Sequence, residues 1–201
     1  MLLHDKLASY RLLLASQSPR RRELLSGSGL KFEMAEKFEV EECYPADLAA
    51  EEVAPYLSRL KSEGYPHPLS EGEILLTADT VVIAQGKILG KPHSRDEALE
   101  MLGLLSGRGH TVVTGVTLRS SRKTETFSSC SEVFFRPISE EEAAYYVDQY
   151  RPYDKAGSYG IQEWIGYVAI ERIEGSFYNV MGLPIQRVYV ELEKFLAAMP
   201  Q

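Results

Sequence analysis

Apolar and polar residues follow two rhythms along this chain, and the changes between them mark its elements. Leu12 to Ala15 is an uninterrupted apolar run, which predicts a short core strand. It gives way to Ser16-Gln17-Ser18-Pro19 and then to Arg20-Arg21-Arg22-Glu23-Leu24-Leu25. Ser18 suits the N-cap of a helix and Pro19 its first position, where a missing N–H costs nothing, so a helix is predicted to near Gly27 and Gly29. An acidic stretch from Glu33 to Glu42 precedes a helical segment leading to Leu57, Leu60 and Lys61, within which Pro55 should kink or restart the helix. Ile74 to Ala84 predicts a second core strand carrying Ala78-Asp79-Thr80 at its middle, and Gly90-Lys91-Pro92 reads as a turn. Ser94 and Glu97 make a capping-box pattern ahead of a helix with Ala98, Met101, Leu102 and Leu105 on its inner face. His110 to Leu118 and Thr124 to Phe135 predict two strands, suited to an antiparallel pair. Ser139 and Glu142 repeat the capping box before Ala143, Tyr146, Val147 and Tyr150. A strand around Tyr167 to Ile173 follows, and a last helix is striped by Ile185, Val188, Tyr189, Leu192, Phe195 and Leu196. Strands and helices alternate without a regular period, which predicts an α/β protein with a mixed β-sheet flanked by helices.

Composition narrows the class. The 201 residues are 44% hydrophobic and 25% charged, enough to bury a real core, and a single domain over 1–201, with room for two lobes, is expected. A net charge of −7 argues against a nucleic-acid surface, because no basic run is longer than Arg20 through Arg22. Cys43 and Cys130 lack metal-ligand or CxxC spacing, which points to a reducing, cytoplasmic compartment. Met1 to Lys6 is too short and polar for a signal peptide, and no apolar run reaches membrane-spanning length. His4, His67, His93 and His110 show no metal or triad spacing.

Charge at particular places changes the picture more. Arginines in a first helical turn oppose the positive end of the helix dipole, whereas an anion there is attracted by that end and by the guanidinium forks, so the segment around Ser16, Ser18, Arg20 and Arg21 calls for a phosphate. Asp79, flanked by Leu75, Leu76, Val81 and Val82, is costly to bury unless it meets a metal, a cation or a wet cleft, which makes it the first candidate for catalysis. Lys91, in a turn after that strand, and Lys61 are candidate cations. Glu41 and Glu42 gain interest only beside such groups. In Asp154-Lys155-Ala156-Gly157-Ser158-Tyr159-Gly160-Ile161-Gln162, two glycines and small residues let backbone approach a ligand closely. There is no Walker A or GxGxxG sequence.

Together these segments resemble the Maf family of nucleoside triphosphate pyrophosphatases. The matching pieces are LASQSPRRRELL at 14–25, LSRLKS at 57–62, ADTVV at 78–82, GKP at 90–92, LSGRGHTVVTGV at 105–116, DKAGSYGIQ at 154–162 and GSFYNVMGLP at 175–184. The resemblance implies a two-lobed architecture, similar to that of ITPases, with a central cleft. It implies hydrolysis of a nucleoside triphosphate between the α and β phosphates with a divalent cation, Mg²⁺ or Mn²⁺. It makes Asp79 the acceptor that activates water, and it gives phosphate binding to Ser16, Ser18, Arg20 and Arg21. Lys61 and Lys91 complete the cationic side, and Glu41 joins Asp79 in metal binding. Pro19-Arg20, Asp79-Thr80 and Tyr159 to Gln162 are similar to the branch acting on dTTP and UTP rather than that acting on 7-methyl-GTP, with Arg20, Thr80 and Gln162 as specificity residues. Cleaning of modified pyrimidine nucleotides and a non-catalytic role in septum formation are the competing roles. Relatives of the fold often form homodimers.

Overall fold

Leu12, Leu13 and Leu14 are all buried in β1 (Arg11–Leu14), as a run with no polar face requires. The computed structural model describes residues 2–199; in it a short helix α1 (Leu3–Lys6) and one 3-10 turn (Leu7–Ser9) precede that strand. After α2 (Pro19–Gly27), β2 (Glu33–Met34) pairs parallel with β1. Helix α3 (Ala50–Glu63) leads to β3 (Glu73–Ala84), which also runs parallel to β1, from Arg11↔Glu73 to Leu14↔Leu76. The chain then reverses through Gln85-Gly86 into β4 (Lys87–Leu89), antiparallel to β3. Both turn residues have positive φ, 51° and 72°, the backbone that matches strand twist in a two-residue hairpin. There follow α4 (Arg95–Leu105), β5 (Gly109–Arg119), β6 (Thr124–Phe135), α5 (Glu140–Tyr150), α6 (Trp164–Ala169), β7 (Ile170–Glu174), α7 (Phe177–Met181) and α8 (Ile185–Ala197). The strand order is β2-β1-β3-β5-β6-β7 with β4 on β3, so the sheet is mixed and the protein is α/β, as expected from the pattern.

Internal contacts divide the chain into two compact units. The first holds the chain up to Asp79, Thr114–Ser129 and the chain from Gly182 onward; the second holds Thr80–Val113 and Cys130–Met181. In the first, Val188, Leu192, Phe195 and Leu196 are buried on α8, while Ile185 and Tyr189 at the stripe's edge are partly exposed. In the second, Ala98, Met101, Leu102 and Leu105 on α4 and Ala143, Tyr146 and Val147 on α5 are buried at the predicted spacing.

Three local expectations need correction. Helix α3 runs through Pro55 without a restart. Only one intrahelical bond is lost near its start, and the backbone there lies against Gly115, whose missing Cβ gives it room. Tyr167 to Ala169 is helical rather than extended, because Ile165 and Ala169 are buried four apart while Tyr167 is 83% exposed, so the burial period wins over the strand propensity of Tyr-Val. The box at Ser94 is half formed: its side chain accepts from the Glu97 N–H, but the Glu97 carboxylate takes the His93 N–H instead of reaching back to Ser94. The Ser139–Glu142 box closes in both directions.

Candidate active site

The Asp79 carboxylate is placed by the docking of α3 on β3 in the first unit. Thr77 and Asp79, two apart, share one face of the strand, and Ser58 and Lys61, three apart, share one side of the helix. Thr77 Oγ1 donates to the Ser58 carbonyl at 2.7 Å. The Ser58 hydroxyl lies 2.9 Å from Thr117 Oγ1, and Thr117 Oγ1 lies 2.9 Å from Thr126 Oγ1. One turn along, Lys61 Nζ donates to Asp79 Oδ1 at 2.5 Å. Side chains of Asp79 and Lys61 are only 12% and 19% exposed, so the pair interacts in surroundings that screen charge weakly. Glu42 Oε1 also reaches that ammonium, at 3.1 Å. Glu41, the glutamate expected at this place, is exposed and accepts from the Cys43 thiol at 3.5 Å. Nothing periodic in the irregular segment around 41 and 42 told the two glutamates apart.

Arg21 organises the start of α2. Its Nε donates to the Gly182 carbonyl at 2.8 Å, and its Nη1 donates to the Ala78 carbonyl at 2.8 Å and to Ser16 Oγ at 3.4 Å. Burial pushes the guanidinium pKa down, while the Asp79 carboxylate pulls it up. Ser16 Oγ also accepts the Ser18 N–H at 3.3 Å. Ser18 holds the N-cap position as expected, yet its hydroxyl makes no cap bond, so the first-turn N–H groups of α2 are not capped by it. Arg20 beside them is partly exposed. Arg21 therefore ties the helix to the backbone next to Asp79.

In the second unit Thr80 is partly exposed on β3, Lys91 is exposed in the turn after β4, and Gln162 lies in the late glycine loop. Gly157 and Ser158 in that loop have φ of 67° and 62°, and the Gly157 N–H donates to the Gly90 carbonyl at 3.0 Å, which joins the loop to the Lys91 turn. Beyond it, the Glu163 N–H donates to the Gly160 carbonyl at 3.0 Å and closes a turn around Ile161-Gln162. Three groups that sequence reasoning did not single out surround this turn. Lys155, 7% exposed, places Nζ 2.8 Å from Asp154 Oδ1 and 3.0 Å from Glu163 Oε1. The Tyr146 hydroxyl donates to Glu163 Oε2 and accepts the Gly160 N–H at 3.0 Å. Burial first, then Glu163, pushes the Tyr146 pKa up, so the phenol keeps its proton. The one hint in the sequence was a lysine and a glutamate bracketing the glycines; Tyr146, on α5, shares no local pattern with them.

His110 lies in the same unit with Nε2 2.7 Å from Tyr159 Oη and edge-on contacts to Phe135 and Tyr159. Burial lowers its pKa to about 4, and it is a neutral core residue. Among the described residues no three His, Cys, Asp or Glu side chains form a metal cluster. Cys43 and Cys130 are unbridged and exposed, and among the described residues no helix is long and apolar enough to cross a membrane.

The class is α/β, with a mixed sheet whose core strand β3 carries Asp79, paired with Lys61 of α3. The fold is that of the Ham1 protein of Staphylococcus aureus, with a TM-score of 0.51 over 92% of this chain and 99% of that one at 15% identity, a likeness of fold alone. The family model described as Maf-like protein matches residues 11–195, and the chain belongs to the Maf family. A relative from Porphyromonas gingivalis, named dTTP/UTP pyrophosphatase, is 55% identical over 193 residues, covering 95% of this chain and 97% of its own. One of the same name from Bacteroides thetaiotaomicron is 52% identical over 188 residues, covering 94% and 97%.

Proposed function

We propose that this protein hydrolyses nucleoside triphosphates, dTTP and UTP in preference, between the α and β phosphates to a monophosphate and pyrophosphate. The observation that carries the reading is the Lys61–Asp79 pair at 2.5 Å with Glu42 on the same ammonium, set next to the start of α2 by Arg21. Relatives named for that activity at 52–55% identity support it. Asp79 takes the proton of the attacking water while a water oxygen bonds to phosphorus and the α–β anhydride bond breaks, releasing pyrophosphate. Lys61 orients the carboxylate through Oδ1, which leaves Oδ2 to face the water. The uncapped first turn of α2, with Ser16, Ser18 and Arg20, receives phosphate oxygens, and Lys91 adds charge. Arg21 joins them in binding phosphate while it holds the Ala78 and Gly182 carbonyls in place.

A hard divalent cation, Mg²⁺ or Mn²⁺, fits the chemistry of the donor set: Asp79 and Glu42 are carboxylates gathered at the Lys61 ammonium, Glu41 is the expected partner of Asp79 in metal binding, and such ions need few protein ligands when phosphates supply the rest. When bound, it neutralises phosphate charge as a Lewis acid. Thr80 and Gln162 read the uracil or thymine edge, with Arg20 contributing to the choice. Residues 1–201 act as one functional domain in the cytoplasmic nucleotide pool, with no nucleic acid or membrane partner. Sedimentation tests whether they pair as a homodimer. Modified pyrimidine triphosphates are a further substrate class of the same enzyme.

The test is pyrophosphate release from dTTP, UTP, CTP, GTP, ATP and 7-methyl-GTP with Mg²⁺ or Mn²⁺. Turnover of dTTP and UTP that drops about 10²–10⁴-fold in Asp79→Asn is the expected result. No turnover of any triphosphate would replace the enzyme with a nucleotide-binding regulator, the role in septum formation.

A further inference from the structure

A glutamine cannot by itself choose between uracil and cytosine. The two bases exchange donor for acceptor at N3 and C4, and an amide that rotates by half a turn exchanges its own groups to match either. If Gln162 reads the base, something must fix which way its amide faces. The surroundings of Gly160 supply it. A Cβ at Gly160 would sit 2.9 Å from Lys155 Cε, 3.0 Å from Gln162 Nε2 and 3.0 Å from Glu163 Cδ, so the lysine stem, the amide nitrogen and the carboxylate converge beside one glycine. A carboxylate next to the amide favours its N–H₂ on that side and repels its oxygen. Gln162 Oε1 is buried and has no hydrogen-bond partner among the described residues. An orphaned acceptor there suits the N3–H of uracil or thymine, whereas cytosine N3 is itself an acceptor.

The carboxylate is in turn held from both oxygens. Lys155 Nζ lies 3.0 Å from Oε1, and the Tyr146 hydroxyl donates to Oε2 while accepting the Gly160 N–H at 3.0 Å. Tyr146 is fully buried and Lys155 is 7% exposed. Burying an ammonium is costly and contributes little stability over an apolar residue, so its presence calls for another reason. We propose that Tyr146, Glu163 and Lys155 are positioning residues for base selection: they lock the Gly160–Glu163 turn and set the orientation of the Gln162 amide, so that pyrimidines with a ring N–H are preferred over cytosine. This rests on Gln162 as the base reader and names the residues through which it becomes selective.

The experiment compares kcat and KM for UTP and CTP in Tyr146→Phe, Glu163→Gln, Gln162→Ala and the double variant Gln162→Ala/Tyr146→Phe, each first shown to melt cooperatively. Tyr146→Phe and Glu163→Gln should each lower the UTP-over-CTP ratio of kcat/KM about five- to tenfold, mainly through KM for UTP, the worth of one hydrogen bond. The double variant should be no less selective than Gln162→Ala alone, since Tyr146 acts only through that amide. Glu163→Gln keeps the side chain's shape, so it carries the test if Tyr146→Phe does not fold. Selectivity lost in Gln162→Ala but kept in Tyr146→Phe and Glu163→Gln would overturn the positioning role and leave the base reader standing. Selectivity kept in Gln162→Ala would remove the base reader itself. Additive losses in the double variant would also overturn the proposal, because they would mean Tyr146 acts on selectivity by another route.

Discussion

Replacing Gly115 by alanine tests whether close docking of α3 sets the Lys61–Asp79 pair. A Cβ at 115 would fall well under 3.0 Å from three backbone atoms, Pro55 N, Pro55 Cα and Ala54 C, where ordinary contact begins near 3.4 Å. Backbone cannot swing aside as a side-chain tip can, so the helix must retreat from β5 by on the order of 1 Å. Overpacking of this kind costs about 1–3 kcal/mol, and backbone contact puts it at the upper end. For a chain of this size that lowers Tm by roughly 4–12 °C. The displaced segment lies one turn before Ser58 and two before Lys61, so the Thr77–Ser58 and Asp79–Lys61 contacts shift with it. A misplacement of about 1 Å in a catalytic group can cost on the order of 10²-fold in rate. Scanning calorimetry and pyrophosphate release from UTP measure the two effects. Gly103→Ala is the control: that glycine lies inside α4 with nothing within 4 Å of its missing Cβ, so alanine should stabilise by about 0.5–1 kcal/mol. A Gly115→Ala protein that melts and turns over like the parent would refute the claim that this contact sets the site.

Other expectations follow from the same geometry. Lys61→Met leaves the largely buried Asp79 carboxylate without its ammonium and should cost about 1–3 kcal/mol in urea unfolding, with a smaller loss for Glu42→Gln, whose carboxylate is 46% exposed. His110 is held neutral down to about pH 4, whereas in the unfolded chain it binds a proton below about 6.5. The unfolded state therefore gains protons first as pH falls, and about 3 kcal/mol of stability is lost between pH 6.5 and 4; His110→Gln should flatten that slope, and equal slopes would contradict it. Chelation by EDTA should abolish turnover yet leave Tm unmoved, because Lys61 already satisfies Asp79 and Glu42 in the fold.

Local rules decided a good part of this protein before any tertiary contact. The leucines of β1, the Ser139–Glu142 box, Pro19 at the start of α2 and the buried stripe of α8 are set by neighbours within a turn or two, where spacing and capping act. Asp79 was legible too, since a lone carboxylate in an apolar run stands out by type alone. The family motifs carried the rest of the site list, but not its geometry. Only tertiary packing decided how closely α3 docks at Pro55, because its backbone lies where a Cβ on Gly115, sixty residues away, would sit. Packing likewise aimed Lys61 at Asp79, sent Glu42 rather than Glu41 to that ammonium, gave Arg21 to backbone carbonyls and joined Tyr146 to Glu163 and Lys155. Such partners lie far apart along the chain, and no periodicity records a meeting that exists only once helices have docked on the sheet.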